Sequence, residues 1–129
     1  MDLFDKIKHM KILLVDDDRW IRDSMTLLFE TEGCELLALE TAEEGLQAVK
    51  QQKIDIAIVD YRLPGMDGLE FLKYITALQP DTLRILITAH IDKKVVIEAD
   101  QLGVEDFIAK PFTSESIEAS LSRLVDKFR

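Results

Sequence analysis

The sequence predicts an α/β chain of five βα units, and three observations point to it. Short apolar runs alternate with longer segments whose apolar residues recur at helical spacing. The runs lack polar alternation, as Ile12, Leu13, Leu14 and Val15 show, so both faces of the sheet are expected to be covered, as in a parallel sheet. Four of the five runs end in a side chain able to do chemistry.

The elements follow in chain order. The first strand is expected at 12–16, followed by a helix over 19–32 that Asp18 caps, that buries Ile21, Met25 and Leu28, and that Gly33 stops. The second strand is expected at 36–39. Thr41 with Glu44 three residues on reads as a capping box for a helix through Gln52. After a strand at 54–60, a helix is expected from Gly68, burying Phe71 or Leu72, Ile75 and Leu78 and ending before Pro80. The fourth strand, 83–88, precedes a helix over 91–102 that Gly103 closes. The fifth, 106–110, precedes a helix capped by Thr113 or Ser114, with Ile117, Leu121, Leu124 and Phe128 on one stripe.

The totals bound the possibilities. A chain of 129 residues with 47% apolar content fits one domain with helices on both sides of a sheet. Acidic residues outnumber basic ones 25 to 16, a net charge of -9, which argues against a surface built on nucleic-acid phosphates. Cys34, the single cysteine, leaves no internal disulfide, and it reads as a small hydrophobe or turn residue. With one cysteine a reducing, cytoplasmic setting is expected; separately, no apolar run is long enough to span a bilayer, and no membrane contact is expected. Residues 1–10 read as an extension ahead of a domain over 11–129. Asp2, Asp5, Lys6 and Lys8 interrupt any signal-peptide core, and a frayed or helical extension, an alternative start and a cloning remnant all stay open.

The chemistry gathers at the strand ends: Asp16 and Asp17 after the first, Asp60 after the third, Thr88 after the fourth and Lys110 after the fifth. In an open parallel sheet these carboxyl ends share one edge, where ligands bind. Clustered carboxylates repel one another unless a cation lies among them, and Mg²⁺ suits oxygen ligands. A carboxylate is also a competent nucleophile toward phosphorus, while a lysine and a hydroxyl can hold phosphoryl oxygens. Each piece alone has a plainer reading: Asp16, Asp17 and Asp18 as a charged helix cap, Asp60 as a strand end, Pro64-Gly65 and Asp67-Gly68 as turns, Lys110 as an exposed lysine. Chance placement of all of them on one edge is the weaker account.

The segments Leu14-Val15-Asp16-Asp17-Asp18, Val59-Asp60-Tyr61-Arg62-Leu63-Pro64-Gly65-Met66-Asp67-Gly68, Thr88-Ala89 and Lys110-Pro111-Phe112 together resemble the signatures of response-regulator receiver domains, in order and at family-like spacing. The resemblance runs from Lys11 to the last helix. It implies a flavodoxin-like doubly wound sheet of order 2-1-3-4-5 with five helices, an order that one member of this family itself illustrates. It implies a signalling domain that catalyses only its own phosphorylation and dephosphorylation. Asp60 matches the phosphoacceptor. Asp17 matches the direct Mg²⁺ ligand, Asp16 its partner acting mostly through water, and the Arg62 carbonyl a third protein ligand beside Asp60. Thr88 matches the hydroxyl switch residue, Lys110 the phosphoryl-pairing lysine, and Phe107 the switch aromatic. The Lys110-Pro111 bond resembles the family's cis peptide. Implied partners are a sensor histidine kinase or histidine phosphotransfer protein, and an effector or second copy meeting the fourth helix, fifth strand and fifth helix of the βα series.

Two other functions compete. A haloacid-dehalogenase-like phosphatase would use Asp16 as nucleophile, but Arg19 stands where that pattern has Gly or Thr, and room for its cap is lacking. A degenerate receiver serving as a constitutive binding module is disfavoured because no expected acidic, Thr or Lys position is missing. Outside these residues, Trp20 is assigned to covering the first helix, and His9 and His90 to solvent. Arg62 and His90 also lie two positions beyond Asp60 and Thr88, where the family places residues that govern access of the hydrolytic water. In the fourth helix, consecutive Val95, Val96 and Ile97 leave Val96 or Ile97 facing at least partly outward.

Overall fold

The computed structural model describes residues 2–89 and 92–128. His90 and Ile91, assigned above to a solvated loop and the start of a helix, lie outside the described residues. Five strands, β1 (Ile12–Val15), β2 (Leu36–Leu39), β3 (Ile56–Asp60), β4 (Leu83–Thr88) and β5 (Asp106–Ala109), form one parallel sheet of order β2-β1-β3-β4-β5. The helices are α1 (Leu3–Ile7), α2 (Arg19–Thr31), α3 (Ala42–Gln51), α4 (Gly68–Leu78), α5 (Lys93–Leu102) and α6 (Ser114–Phe128). There are thus six helices among the described residues where the sequence leads one to expect five; the additional one is α1.

The unalternating apolar runs are explained by two cores. Successive strand residues point to opposite faces. Ile12, Leu14, Ile56, Ile58, Ile85 and Ile87 pack with Met25 and Phe29 of α2 and Ile117, Leu121 and Leu124 of α6. Leu13, Val15, Ala57, Val59 and Leu86 pack instead with Phe71, Leu72 and Ile75 of α4 and Val95 and Ala99 of α5. Each large apolar side chain so buried contributes roughly 1.5–3 kcal/mol before entropy is counted. The first core also takes in α1, through Phe4 and Ile7, with the Phe4 and Phe29 rings edge to face at 6.0 Å. Lys6 pairs with Asp126 of α6 at 2.8 Å.

The helix starts follow the side chains that cap them. Asp18 accepts from the Trp20 N–H at 2.8 Å, Thr41 and Glu44 complete the capping box, and Asp67 accepts from the Glu70 N–H. Thr113, not Ser114, caps α6, its hydroxyl accepting from the Ser116 N–H at 3.2 Å. Some expectations need correction. Leu78 and Phe128, expected to be buried, are each 47% exposed, because both are the last residues of their helices; Val125 is buried instead. Residues 54–55 lie outside β3: the Ile54 N–H donates to the Gln79 side chain, and Asp55 accepts from the Lys11 N–H.

At the base of β4, the end opposite the strand-end acids, Arg84 is buried with all five guanidinium donors engaged. Nε donates to Glu105 Oε1, Nη1 to Thr76 Oγ1 and Leu102 O, and Nη2 to Gly103 O and Glu105 Oε2. The last carbonyls of α5, which have no partner within the helix, are satisfied in this way. Gly103, at φ +81, turns the chain in the left-handed region that favours glycine.

Candidate functional site

The sheet order brings the strand-end residues together. β1 and β3 are neighbours and their last residues open onto one edge, so Asp16, Asp17 and Asp60 each offer a carboxylate oxygen within 4.8 Å of the others. β5 lies beside β4, and the Lys110 N–H donates to Thr88 O at 2.9 Å, carrying the β4–β5 pairing one residue beyond β5. Lys110 thereby reaches across: Nζ donates to Asp60 Oδ2 at 3.0 Å and lies 3.2 Å from Asp16 Oδ2. The Lys110-Pro111 peptide is cis.

Asp16 is the most constrained of the acids. Its N–H donates to Leu39 O at 3.1 Å, its carbonyl accepts from Arg22 Nη1 at 2.9 Å, and its Oδ1 accepts from the Asp18 N–H at 2.9 Å. Its other oxygen, Oδ2, is buried, ion-paired with Lys110 but without a hydrogen bond. Asp17 is exposed at the mouth of the cluster, and Asp60 is buried at its floor. A Cβ on Gly68 would meet Asp60 O at 2.2 Å, so only glycine lets α4 begin this close to the acid.

The electrostatics are those of an acid cluster short of positive charge. Burial, reinforced by the neighbouring Asp16 charge, pushes the Asp60 carboxyl up to about 6, despite the opposing pull of Lys110. Burial also raises Asp16. For Lys110, burial works against the ammonium, but the hydrogen bond to Asp60 and the Asp16 charge outweigh it and hold the group above its ordinary range. Three carboxylates with one ammonium among them, all oxygen donors and one buried oxygen lacking a hydrogen bond, suit a hard divalent cation such as Mg²⁺.

The remaining expected residues fall around this cluster. Thr88 is buried at the end of β4. Arg62 is exposed and, with Asp17, Tyr61 and Asp67, lines the depression outside the acids. Phe107 is half-buried in β5 and packs against the second core. Trp20 needs correction: it does not cover α2 but is 78% exposed, on the wall of an apolar groove with Met25, Leu28 and Phe112 that runs to Lys110. Val96 is half-buried and Ile97 is 48% exposed, so Ile97 is the outward residue of α5. Sequence reasoning missed Arg22 and Glu43. Glu43 accepts from the Met66 N–H at 3.2 Å, bracing the loop after β3. No motif marks either residue, since both act on main-chain atoms.

Comparison with known proteins places this arrangement. The model of the family described as response regulator receiver domain matches residues 12–122. The chain is similar to the C4-dicarboxylate transport transcriptional regulatory protein DctD of Rhizobium meliloti, 39% identical over 92% of this chain and 26% of that protein. It is 30% identical to sporulation initiation phosphotransferase F of Bacillus subtilis, over 88% of this chain and 91% of the relative. Among solved structures, the CheY-like response regulator receiver domain protein from Methanospirillum hungatei JF-1 superposes with a TM-score of 0.87 at 30% identity, covering 92% of this chain and 94% of that one. Against DctD and the transcriptional regulatory protein FixJ of Bradyrhizobium diazoefficiens, the chain spans only 26% and 56% of the relative's length.

Proposed function

The chain belongs to the response regulator receiver domain family, and from that membership we propose that Asp60 takes a phosphoryl group from a phosphohistidine on a sensor histidine kinase or histidine phosphotransfer protein. The family match leaves the phosphatase alternative without support. The observation that carries the proposal is the bridge of Lys110 Nζ between Asp60 and Asp16, with Asp17 completing the acid cluster. At neutral pH a carboxyl titrating at about 6 is mostly ionised, and so able to attack phosphorus. Asp16, Asp17, Asp60 and the Arg62 carbonyl would hold Mg²⁺, which supplies neutralisation of the charge on the transferring oxygens.

The other residues act around that attack. Asp60 forms the new bond to phosphorus as the histidine nitrogen leaves; Lys110 pairs with a phosphoryl oxygen, and the Thr88 hydroxyl donates to another. Movement of Thr88 toward the phosphoryl group and of Phe107 into the space released transmits the event to the face of α5, β5 and α6. An effector or a second copy reads that face, on which Ile97 stands outward. Exposed Arg62 covers the phosphoryl group and slows its hydrolysis. The receiver unit occupies 11–129, with Leu3, Phe4, Ile7 and Met10 of the preceding segment packed on its first core, and it works in the cytoplasm; no helix of the described residues is long and apolar enough to cross a membrane.

Incubation with Mg²⁺ and a small acyl phosphate should add one phosphoryl mass to the wild-type chain under acidic quench, and Asp60→Asn should lose it. Full modification of Asp60→Asn would place the acceptor elsewhere.

A further inference from the structure

Carboxylates hold an ion in place only if the peptides that carry them are also held, because a small rotation of the main chain swings the ligand away. The Asp16-Asp17 pair lies beyond the last residue of β1, where the strand ladder no longer secures the chain. The Asp16 N–H is still tied to Leu39 O, but among the described residues no main-chain N–H outside the strands donates to the carbonyl of the peptide joining Asp16 to Asp17. Arg22 Nη1 donates to that carbonyl at 2.9 Å. Arg22 stands in the first turn of α2, where its own N–H donates to Asp18 O at 3.1 Å, so the donor and the loop it holds share one turn. The guanidinium forms no ion pair among the described residues. Its charge is spent on a main-chain oxygen beside an acid cluster.

Charge and geometry make opposite demands here. A positive charge next to a cation site repels the cation, so by Coulomb's law alone Arg22 weakens Mg²⁺ binding. We propose that Arg22 is a positioning residue for the cation: its bond to the Asp16 carbonyl fixes the Asp16-Asp17 peptide, aims the Asp17 carboxylate at the space shared with Asp16 and Asp60, and outweighs the repulsion. This inference rests on the cation reading of those three acids given above.

The test is Mg²⁺ affinity, measured by calorimetry and by the Mg²⁺ dependence of the unfolding midpoint, for wild type, Arg22→Met, Arg22→Lys and Asp17→Ala. Positioning predicts that Arg22→Met binds Mg²⁺ about tenfold or more weaker, the range typical of a group supporting a metal ligand. Arg22→Lys, which keeps the charge and a donor but not the rigid fork, should fall between. Unchanged or tighter binding by Arg22→Met overturns the proposal, and so does a loss of metal-free stability with Mg²⁺ affinity untouched. Should Arg22→Met fail to fold, Arg22→Lys decides alone: affinity equal to wild type overturns positioning, and weaker binding supports it. Wild type that binds no Mg²⁺, or Asp17→Ala that binds it normally, brings down the cation reading itself, an outcome distinct from failure at Arg22.

Discussion

Two groups of buried charge stand at opposite ends of β4 and are built in opposite ways. At the base, one guanidinium meets one carboxylate, and every donor of Arg84 has an acceptor. At the other edge three carboxylates share a single ammonium, and Asp16 Oδ2 is left without a hydrogen bond. Buried charge is tolerated when paired and bonded, and it strains the fold when it is not. The base therefore reads as closed structure, while the edge is arranged for positive charge that the fold itself does not supply.

The sharpest way to break this contrast is to open the closed end. Arg84→Met leaves the half-buried Glu105 without its partner and the Leu102 and Gly103 carbonyls at the end of α5 without donors, and should cost about 3 kcal/mol in chemical unfolding. The Mg²⁺ response at the far edge should survive. A loss under about 1 kcal/mol would show that the base network is not what secures α5.

At the acid edge, removing charge should stabilise. The Asp60 carboxyl titrates at about 6 in the fold against an ordinary 3.8, so the folded state holds its proton over a range where the unfolded chain has lost it. The stability tied to this group is complete below the ordinary value and is lost as pH rises through about 6. Asp16 shifts in the same direction, whereas hydrogen bonds from Ser120 and Arg123 overcome burial and lower Asp106, whose contribution is lost as pH falls. Comparison with Asp60→Asn isolates the one group: metal-free wild type should lose on the order of 2–3 kcal/mol more than the variant between about pH 4 and pH 7. Identical pH profiles would mean that the edge is not under charge strain.

The smallest effect is the cation's own. At ten times its pH 7 dissociation constant, Mg²⁺ should add about 1.4 kcal/mol to stability near pH 7, and the same concentration should add less near pH 5, where Asp60 keeps its proton against the ion. Asp17→Ala should abolish the increment. A response of equal size at both pH values would separate the ion from Asp60.

Much of this molecule is legible without coordinates. The five strands, the caps at Asp18 and Thr41, and the reactive residues at the strand ends follow from periodicity and from side chains acting within four positions of themselves. Strand order and site roles came by resemblance rather than by spacing. The packing of α1 escaped, because a five-residue helix carries too little periodicity to show which face it buries. Trp20 escaped for a related reason: the groove it lines has Pro111 and Phe112 among its walls, residues about ninety positions away that local periodicity does not place.

The sequence by itself determined where the five strands and the five helices that follow them lie, to within about two residues at their ends, and which chemical groups reach the carboxyl edge, since those depend on neighbours a few positions away. Only the tertiary structure decided which charge meets which: Arg84 with Glu105 across 21 positions, Lys110 with Asp60 across 50, and Arg22 with the carbonyl of Asp16 rather than with any carboxylate. Local preferences act through backbone geometry that every chain shares. The partner of a long, flexible cation is instead set by distances that exist only once the strands and helices have packed, and by which oxygens burial leaves without water.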